Sequence, residues 1–236
     1  MNHYESIEGG SYWGGKDRAE ALKKYRQDDE RRAIQLRDVV SGKHVVDVGC
    51  GTGGFMDYIK DIAASVSGIE PQEYIRKELG SLGYNMYRIP EEGPQDQFDI
   101  ATLFHVVEHI TDPLITLEAT RKILRPGGTV IIEVPHARDI LFTLDSFKQY
   151  SLWSEHIILH TQQSLRAYLE ATGFKNIEIS GFQRYPLANH LGWFLSGKPG
   201  GQNTFEALQS PETQRAYEEI LKRDGKTDTL IARATA

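Results

Sequence analysis

Two periods of apolar and polar residues alternate along this chain of 236 residues. Short apolar runs rich in β-branched residues predict strands, and stretches with apolar residues three or four positions apart predict the helices between them. The predicted strands are 44–48, 65–69, 85–89, 98–104, 129–134, 175–182 and 228–234. The predicted helices are 17–40, 55–64, 74–82, 113–124, 161–172 and 211–223.

Strands that alternate with helices at this spacing are typical of a parallel sheet covered by helices on both faces. We therefore predict an α/β fold with a Rossmann-like, doubly wound sheet of about seven strands. The last strand follows the sixth after a long excursion, and we expect it to run antiparallel. No shift in composition marks a domain boundary, so residues 1–236 are predicted to form a single domain.

Composition and charge narrow the class of partner. Hydrophobic residues make up 39% and charged residues 25%, which is typical of a globular protein. The net charge of −6 disfavours a broad phosphate-binding surface, so we expect no nucleic acid partner. No apolar run approaches the roughly 20 residues that span a bilayer, and we expect no membrane partner. The single cysteine fits a reducing compartment, so a cytoplasmic location is expected; the oligomeric state, a homodimer included, stays open.

The stretch "VVDVGCGTGGF", residues 45–55, is a candidate cofactor turn. Gly49, Gly51 and Gly54 have the spacing G-x-G-x-x-G, which is the dinucleotide fingerprint. The same stretch reads D-x-G-x-G-x-G from Asp47 onwards, which indicates a different adenosine-bearing cofactor. Glycines between a strand and a helix let a ligand approach the backbone closely, so both alternatives are open at this point.

Two carboxylates favour the second alternative. Asp47 lies inside the predicted strand, where a dinucleotide fingerprint normally has an apolar residue, and an acid there can hold a cationic amine. Glu70 ends the next strand, where a carboxylate can accept hydrogen bonds from both ribose hydroxyls. The alternatives are a structural role in the turn for Asp47 and a solvated strand end for Glu70.

Four motifs in succession carry a resemblance to a known family. They are "VVDVGCGTGGF", "GIEP", "FDIATLFHVVEHITDP" and "LRPGGTVIIEVPH". In this order they resemble the motifs of class I S-adenosylmethionine-dependent methyltransferases, over roughly residues 45–174. The later "WSEHIILHTQQSLRAYLEATGF" is similar to a small-molecule subgroup that includes ubiquinone-type O-methyltransferases and methyltransferases of bacterial surface-sugar pathways. The resemblance implies S-adenosylmethionine as cofactor, S-adenosylhomocysteine as product and a small-molecule acceptor.

The resemblance also implies a role for each residue at the ends of the predicted strands. The glycine turn would approach the aminocarboxypropyl chain, with Asp47 near its amine, and Glu70 would take the ribose hydroxyls. The segment "YRIPEEG" departs from the family's commoner pattern, which leaves the contact to the adenine amino group open. The predicted cofactor-binding residues are Asp47, Gly49, Cys50, Gly51, Gly53, Glu70, Pro71, Ile89, Pro90, Phe104 and His105.

Two long insertions are expected to form a helical and aromatic cap over the carboxyl edge of the sheet. They are residues 136–160 and 184–228, and residues 1–40 are expected to add an N-terminal lid and helix. An aromatic enclosure excludes water and suits a small organic acceptor. The alternative is that the aromatic residues of the two insertions, such as Phe147, Tyr150 and Trp193, pack on one another as the core of the cap.

A histidine suits the proton transfer that accompanies methylation of an oxygen or nitrogen acceptor. We predict His156 as the general base, with Glu155 orienting it or acting in its place, and His105 as a further catalytic residue. No metal is predicted. Glu108 and His109 share an i, i+3, i+4 spacing with His105 but lie in the cofactor motif.

The preferred acceptor is a hydroxyl group of a sugar, a sugar nucleotide or a related biosynthetic intermediate, which the resemblance alone implies. N- or C-methylation of another small metabolite is one alternative. A catalytically silent, cofactor-binding regulatory protein is the other, although the intact Asp47, glycine turn and Glu70 weigh against it.

Overall fold

The computed structural model describes residues 17–152 and 156–236, and its strands form one seven-stranded sheet. The strands are β1 (His44–Val48), β2 (Ser65–Ile69), β3 (Asn85–Tyr87), β4 (Phe98–Phe104), β5 (Leu124–Pro135), β6 (Lys175–Phe182) and β7 (Thr229–Thr235). Their order is β3-β2-β1-β4-β5-β7-β6. The pairs among β1 to β5 are parallel, and β7 is antiparallel to both of its neighbours. The predicted fold class is confirmed.

The helices match the predicted helices in the core of the fold and differ from them in the cap. The described residues form α1 (Arg18–Val40), α2 (Gly54–Ile59), α3 (Glu73–Ser81), α4 (Pro113–Ile123), α5 (Asp145–Ser151), α6 (Gln162–Ala171), α7 (Leu187–Ser196) and α8 (Pro211–Asp224). The sequence analysis missed α5 and α7, which lie in the two insertions. Glycine and proline flank α7 closely, and tertiary packing overrides those local signals.

Two predicted boundaries move. Helix α2 ends at Ile59 instead of residue 64, because the following residues turn back and the amide of Gly42 donates to the carbonyl of Ile62. The predicted strand 129–134 begins earlier, at Leu124, and residues 126–128 lie inside β5, between the pairs Phe98–Leu124 and Ile100–Thr129. The five residue steps from Leu124 to Thr129 of β5 therefore lie opposite the two steps from Phe98 to Ile100 of β4. The extra residues of β5 form a bulge in the strand pairing.

Helices cover both faces of the sheet. On one face, α1 and α2 pack on Val45, Ile100 and Ile131 of the strands. On the other, α4 and α6 pack on residues such as Leu103 and Ile132. Because β1, β2, β4 and β5 are parallel, their carboxyl ends share one edge of the sheet, which is where α/β sheets bind their ligands. Among the described residues, no helix combines the length and apolar character needed to cross a bilayer.

The cap insertions have an aromatic core. The rings of Phe147 and Tyr150 each lie 5.1 Å from the ring of Trp193, which is 3% exposed. His190 is fully buried and hydrogen-bonded to the hydroxyl of Tyr217. For Trp193 and His190, packing inside the cap is therefore the better of the two interpretations. Residues 1–16 of the predicted lid lie outside the described residues, and the division into lid and cap stays a prediction.

Candidate active site

The glycine turn joins β1 to α2 in a conformation that glycine alone adopts easily. Gly49, Gly51 and Gly53 have φ angles of +69°, +50° and +74°. A Cβ atom at Gly49 would lie 2.5 Å from Cγ2 of Val106, whereas one at Gly51 would meet nothing within 4 Å. The turn is thus closed against the loop after β4 at Gly49 and open at Gly51, which leaves backbone accessible to a ligand.

Asp47 is a buried carboxylate directly before this turn. It is 4% exposed, and the hydroxyl of Thr102 donates to its Oδ1 over 2.7 Å. Burial raises the pKa of Asp47 to about 7, and the hydrogen bond and the charge of Arg32 offset only part of that effect. A bound ammonium group would favour the ionised form, so the geometry fits the amine contact that the resemblance implies.

Glu70 links the glycine turn to the end of β2. Its Oε2 accepts from the amide of Gly51 over 3.1 Å, and its Oε1 accepts from the amide of Gln72 over 3.0 Å. Burial raises the pKa of Glu70, although both amide hydrogen bonds oppose this. Each carboxylate oxygen keeps a second lone pair for a ribose hydroxyl. A structural role and a ligand role are therefore compatible here.

Cys50 and Pro71 are the predicted cofactor residues next to Glu70: Pro71 follows it in the sequence, and Cys50 is hydrogen-bonded to the residue before it. The amide of Cys50 donates to the carbonyl of Ile69 over 3.1 Å, and burial raises the pKa of the thiol. The guanidinium of Arg76 donates to the carbonyls of Glu70 and Pro71. These contacts hold the backbone around the turn, and Cys50 takes part as a small packed residue.

The remaining predicted cofactor residues follow β3 and β4. Ile89 precedes a short 3₁₀ turn that begins at the buried Pro90. Phe104 ends β4, with its ring edge-on to Phe55 at 5.0 Å and the guanidinium of Arg32 at 4.5 Å from its ring centre. All of these residues lie at the carboxyl edge, and their contacts with the cofactor stay predictions.

His105 adopts a left-handed φ of +55° and lies between two carboxylates. Its Nδ1 is 3.0 Å from Oε1 of Glu108, and its Nε2 is 3.3 Å from Oε1 of Glu133. Burial alone would lower the pKa of His105, but the two carboxylates outweigh it and raise the pKa. Each nitrogen faces a carboxylate oxygen, and Nε2 also lies near the guanidinium of Arg184, which opposes protonation. The carboxylates dominate and favour the protonated imidazole.

Glu133 connects this histidine to α1. It is 2% exposed and accepts hydrogen bonds over 2.8 Å from both Arg31 and Arg32. Burial opposes its ionisation, but His105 and Arg32 hold the pKa of Glu133 well below its ordinary value. The sequence analysis missed this residue, although an acid inside the apolar run "VIIEVP" is the same signal that Asp47 gave.

Arg184 joins the network from the end of β6. Its guanidinium pairs with Asp28 of α1 and lies 3.4 Å from Nε2 of His105. Asp228 anchors the backbone nearby by accepting from the amides of Arg184 and Tyr185. Asp28, Arg31 and Arg32 of α1 therefore face the site.

His156 lies next to the loop after β4. Its ring is 5.0 Å from the ring of His109, and its Nδ1 is 3.1 Å from the carbonyl of Ser151. Burial and the neighbouring His109 lower the pKa of His156, so the ring is neutral at pH 7. Glu155 lies outside the described residues. The assignment of His156 and Glu155 as base and partner stays a prediction.

Glu108, His109 and His156 offer one ligand atom each within 4.8 Å of one another. Glu108 is fully buried, and its Oε2 has no hydrogen-bond partner among the described residues. Two imidazoles and a carboxylate can hold a divalent transition metal ion. The prediction that no metal takes part stays a prediction.

Comparisons with known proteins identify the family of this chain. The sequence model of a family described as "Methyltransferase domain" matches residues 22–179. A ubiquinone biosynthesis O-methyltransferase from Bradyrhizobium sp. (strain ORS 278) is 32% identical over 185 residues, which cover 71% of each chain. The crystal structure of a SAM-dependent methyltransferase from Archaeoglobus fulgidus has a TM-score of 0.60 at 18% identity, covering 92% of this chain and 98% of that chain.

A further structural relative was solved with the cofactor bound. It is phosphoethanolamine N-methyltransferase 2 from Haemonchus contortus in complex with S-adenosyl-L-methionine, with a TM-score of 0.56 at 17% identity over 89% of this chain and 52% of that chain. The residues here are compatible with the same cofactor: two buried carboxylates at the ends of β1 and β2 and a glycine turn that is open at Gly51. The chain belongs to the class I S-adenosylmethionine-dependent methyltransferases, and S-adenosylmethionine is its cofactor.

Proposed function

We propose that this methyltransferase methylates a hydroxyl group of a small molecule. The observation that carries the proposal is the position of His156, which lies in the cap insertion against the loop that follows β4, with its ring 5.0 Å from that of His109. Burial and His109 lower the pKa of His156, which favours the neutral ring. A hydroxyl acceptor must lose a proton, and a neutral imidazole is the side chain best suited to take it at pH 7. The name of the relative from Bradyrhizobium, an O-methyltransferase, supports the same acceptor atom.

The residues at the carboxyl edge would orient the two reactants. S-adenosylmethionine supplies, when bound, a methyl group activated by its sulfonium. Asp47 would hold the amine and Glu70 the ribose, so that the donor keeps one orientation relative to β4. Fixing that orientation supplies much of the rate enhancement in an in-line displacement.

Two histidines would divide the electrostatic work. The Nδ1–H of His156 donates to the carbonyl of Ser151, so in this tautomer the lone pair that would accept the hydroxyl proton is on Nε2. Glu108 and Glu133 raise the pKa of His105, and its protonated form would favour negative charge on the acceptor oxygen. The two roles differ because burial lowers one pKa and ion pairing raises the other.

For the acceptor we propose a sugar, a sugar nucleotide or a related biosynthetic intermediate, which rests on the motif resemblance. An intermediate of ubiquinone biosynthesis is the second candidate, because the relative at 32% identity carries that name. N- or C-methylation and a silent regulatory role are the alternatives to O-methylation.

Methyl transfer from isotope-labelled S-adenosylmethionine to separate panels of nucleotide sugars and of ubiquinone intermediates, with the product bond located by mass spectrometry, tests the proposal. We expect an O-methyl product. His156→Gln should lower kcat at least about 100-fold while leaving S-adenosylhomocysteine affinity within about twofold. His44→Gln, at the opposite edge of the sheet, is the matched control. An exclusively N- or C-methylated product would contradict the proposal, and tight binding without transfer would favour the regulatory alternative.

A further inference from the structure

A cavity of about 430 Å³ lies between the first turns of α6, the edge strand β6 and the segment after β5. β4, β5 and β7 separate β6 from β1, so this cavity is distant from the glycine turn. Ile179 of β6 provides an apolar wall. The polar residues that line the cavity include His136, Arg138, Thr161, Gln162, Gln163 and Arg166.

The charge of the lining favours an anion. Among the described residues, the lining contains two arginines and no acidic residue, in a chain whose net charge is −6. Arg138 forms no ion pair with any residue in the described part of the chain. One guanidinium N–H group of Arg166 donates a hydrogen bond to the carbonyl of Ile177 over 2.9 Å. Guanidinium groups match the oxygens of a phosphoryl group in a bidentate manner, so the pair could hold one.

The start of α6 adds backbone donors to this surface. Thr161 caps the helix by accepting from the amide of Ser164 over 3.1 Å. That cap leaves the amides of Gln162 and Gln163 in the first turn available, and such amides bind phosphate groups. The helix has ten residues, so its dipole also favours an anion at this end.

His136 supplies a different kind of group. It is 2% exposed and lines the cavity, and its Nδ1 lies 2.9 Å from the carbonyl of Thr227. A carbonyl only accepts, so Nδ1 carries the proton and Nε2 is an acceptor, which forms no hydrogen bond with any described residue. Burial, Arg138 and Lys226 lower the pKa of His136 and keep the ring neutral. A neutral acceptor nitrogen suits a ligand hydroxyl better than a second anionic oxygen.

We propose that this cavity binds a phosphate ester of a hydroxyl-bearing small molecule. The phosphoryl group would bind Arg138, Arg166 and the α6 amides, and a hydroxyl of the same molecule would donate to Nε2 of His136. A water molecule occupies about 30 Å³, so the cavity of about 430 Å³ has room for a ligand considerably larger than one phosphate ion. This inference does not depend on the methyl acceptor, because the cavity includes none of the cofactor or catalytic residues.

Calorimetric titration of the full chain with ribose 5-phosphate, inorganic phosphate and ribose tests the assignment. We expect ribose 5-phosphate to bind about tenfold more tightly than phosphate, and ribose not to bind. Arg138→Gln should weaken ribose 5-phosphate binding about tenfold. Arg215→Gln removes an exposed charge from α8, outside the cavity, and should have no effect. Both variants should bind S-adenosylhomocysteine like the wild type, which shows that they are folded.

Three outcomes would overturn the proposal. One is the absence of ribose 5-phosphate binding by the wild type. Another is equal affinity of the Arg138→Gln and Arg215→Gln variants. The third is equal binding of phosphate and ribose 5-phosphate, because it would leave no role for His136 and would indicate a site for the free anion. A shift of the Gln162 amide resonance on titration would independently support the α6 contact.

Discussion

Nε2 of His105 lies 3.3 Å from Oε1 of Glu133, and this contact ties the end of β4 to the end of β5. Glu133 in turn binds Arg31 and Arg32, so α1 is attached to the same point. The pair raises the pKa of His105, because a half-buried imidazole beside two carboxylates is stabilised as a cation. The charge at the edge of the acceptor site therefore depends on a residue from a neighbouring strand.

Glu133→Gln should lower both the pKa of His105 and the stability of the protein. The variant removes the carboxylate that the buried Arg32 and the half-buried Arg31 share, and removal of one partner from a buried ion pair costs about 3–5 kcal/mol. The pKa of His105 is measured by NMR titration and the free energy of unfolding by urea denaturation. Glu118→Gln, which breaks only an exposed pair with Lys122, is the control and should change neither quantity. An unaltered His105 pKa in Glu133→Gln would contradict the coupling.

Gly49→Ala should destabilise the protein more than Gly83→Ala. Both positions have positive φ angles, +69° and +96°, so both variants carry backbone strain of about 1–2 kcal/mol. Gly83 faces open space, whereas the new methyl group at Gly49 would lie 2.5 Å from Cγ2 of Val106. We expect the Gly49 variant to lose about 1–3 kcal/mol beyond the Gly83 variant and to bind S-adenosylhomocysteine more weakly. Equal denaturation midpoints and equal affinities would show that the loop after β4 does not press on the turn.

Cofactor affinity should rise with pH between about 6 and 7.5. The pKa of Asp47 is about 7 in the free protein, and a bound ammonium group would lower it, so binding at pH 6 must release a proton. The rise should level off near pH 8, where an α-amino group itself loses its proton. Calorimetry in buffers of different ionisation enthalpy measures that release. Asp47→Asn should abolish the rise, and a wild-type affinity independent of pH would contradict the assignment.

The same pKa has a consequence for stability. Because the folded protein raises the pKa of Asp47 above the value in the unfolded chain, ionisation of Asp47 disfavours folding as pH increases from about 4 towards 7. Asp47→Asn keeps the oxygen that accepts from Thr102 and removes the buried charge. The thermal midpoint of this variant at pH 7.5 should therefore match or exceed that of the wild type. A large drop in the midpoint would indicate that Asp47 is primarily structural.

The sequence predicted the parts of the site that are local. Asp47, Gly51 and Glu70 lie within or just after short strands whose patterns are unambiguous, and parallel strands bring those ends to one edge. The antiparallel β7 followed from the long excursion before it. Each of these features depends on the order of elements and not on the choice of a distant side-chain partner.

The parts that could not be predicted depend on tertiary pairing. Arg32 and Glu133 are 101 residues apart, and a charged residue on α1 has the same local pattern whether it faces solvent or a buried carboxylate. Helix α7 was missed because Gly192 and the glycine-rich sequence after it lower helix propensity, while burial of Trp193 in the cap compensates. Such compensation is visible only when the packed neighbours are known.

The most direct test of the central claim is the affinity of S-adenosylhomocysteine for Asp47→Asn/Glu70→Gln, compared by calorimetry with the wild type and with Glu73→Gln/Glu118→Gln. The control removes two exposed carboxylates that pair with lysines on the surface. With about 1.5–3 kcal/mol for each charged hydrogen-bonding group, we predict a loss of at least about 100-fold in the first variant and none in the control. An affinity within threefold of the wild type, in a folded double variant, would contradict the claim that these two carboxylates hold the cofactor.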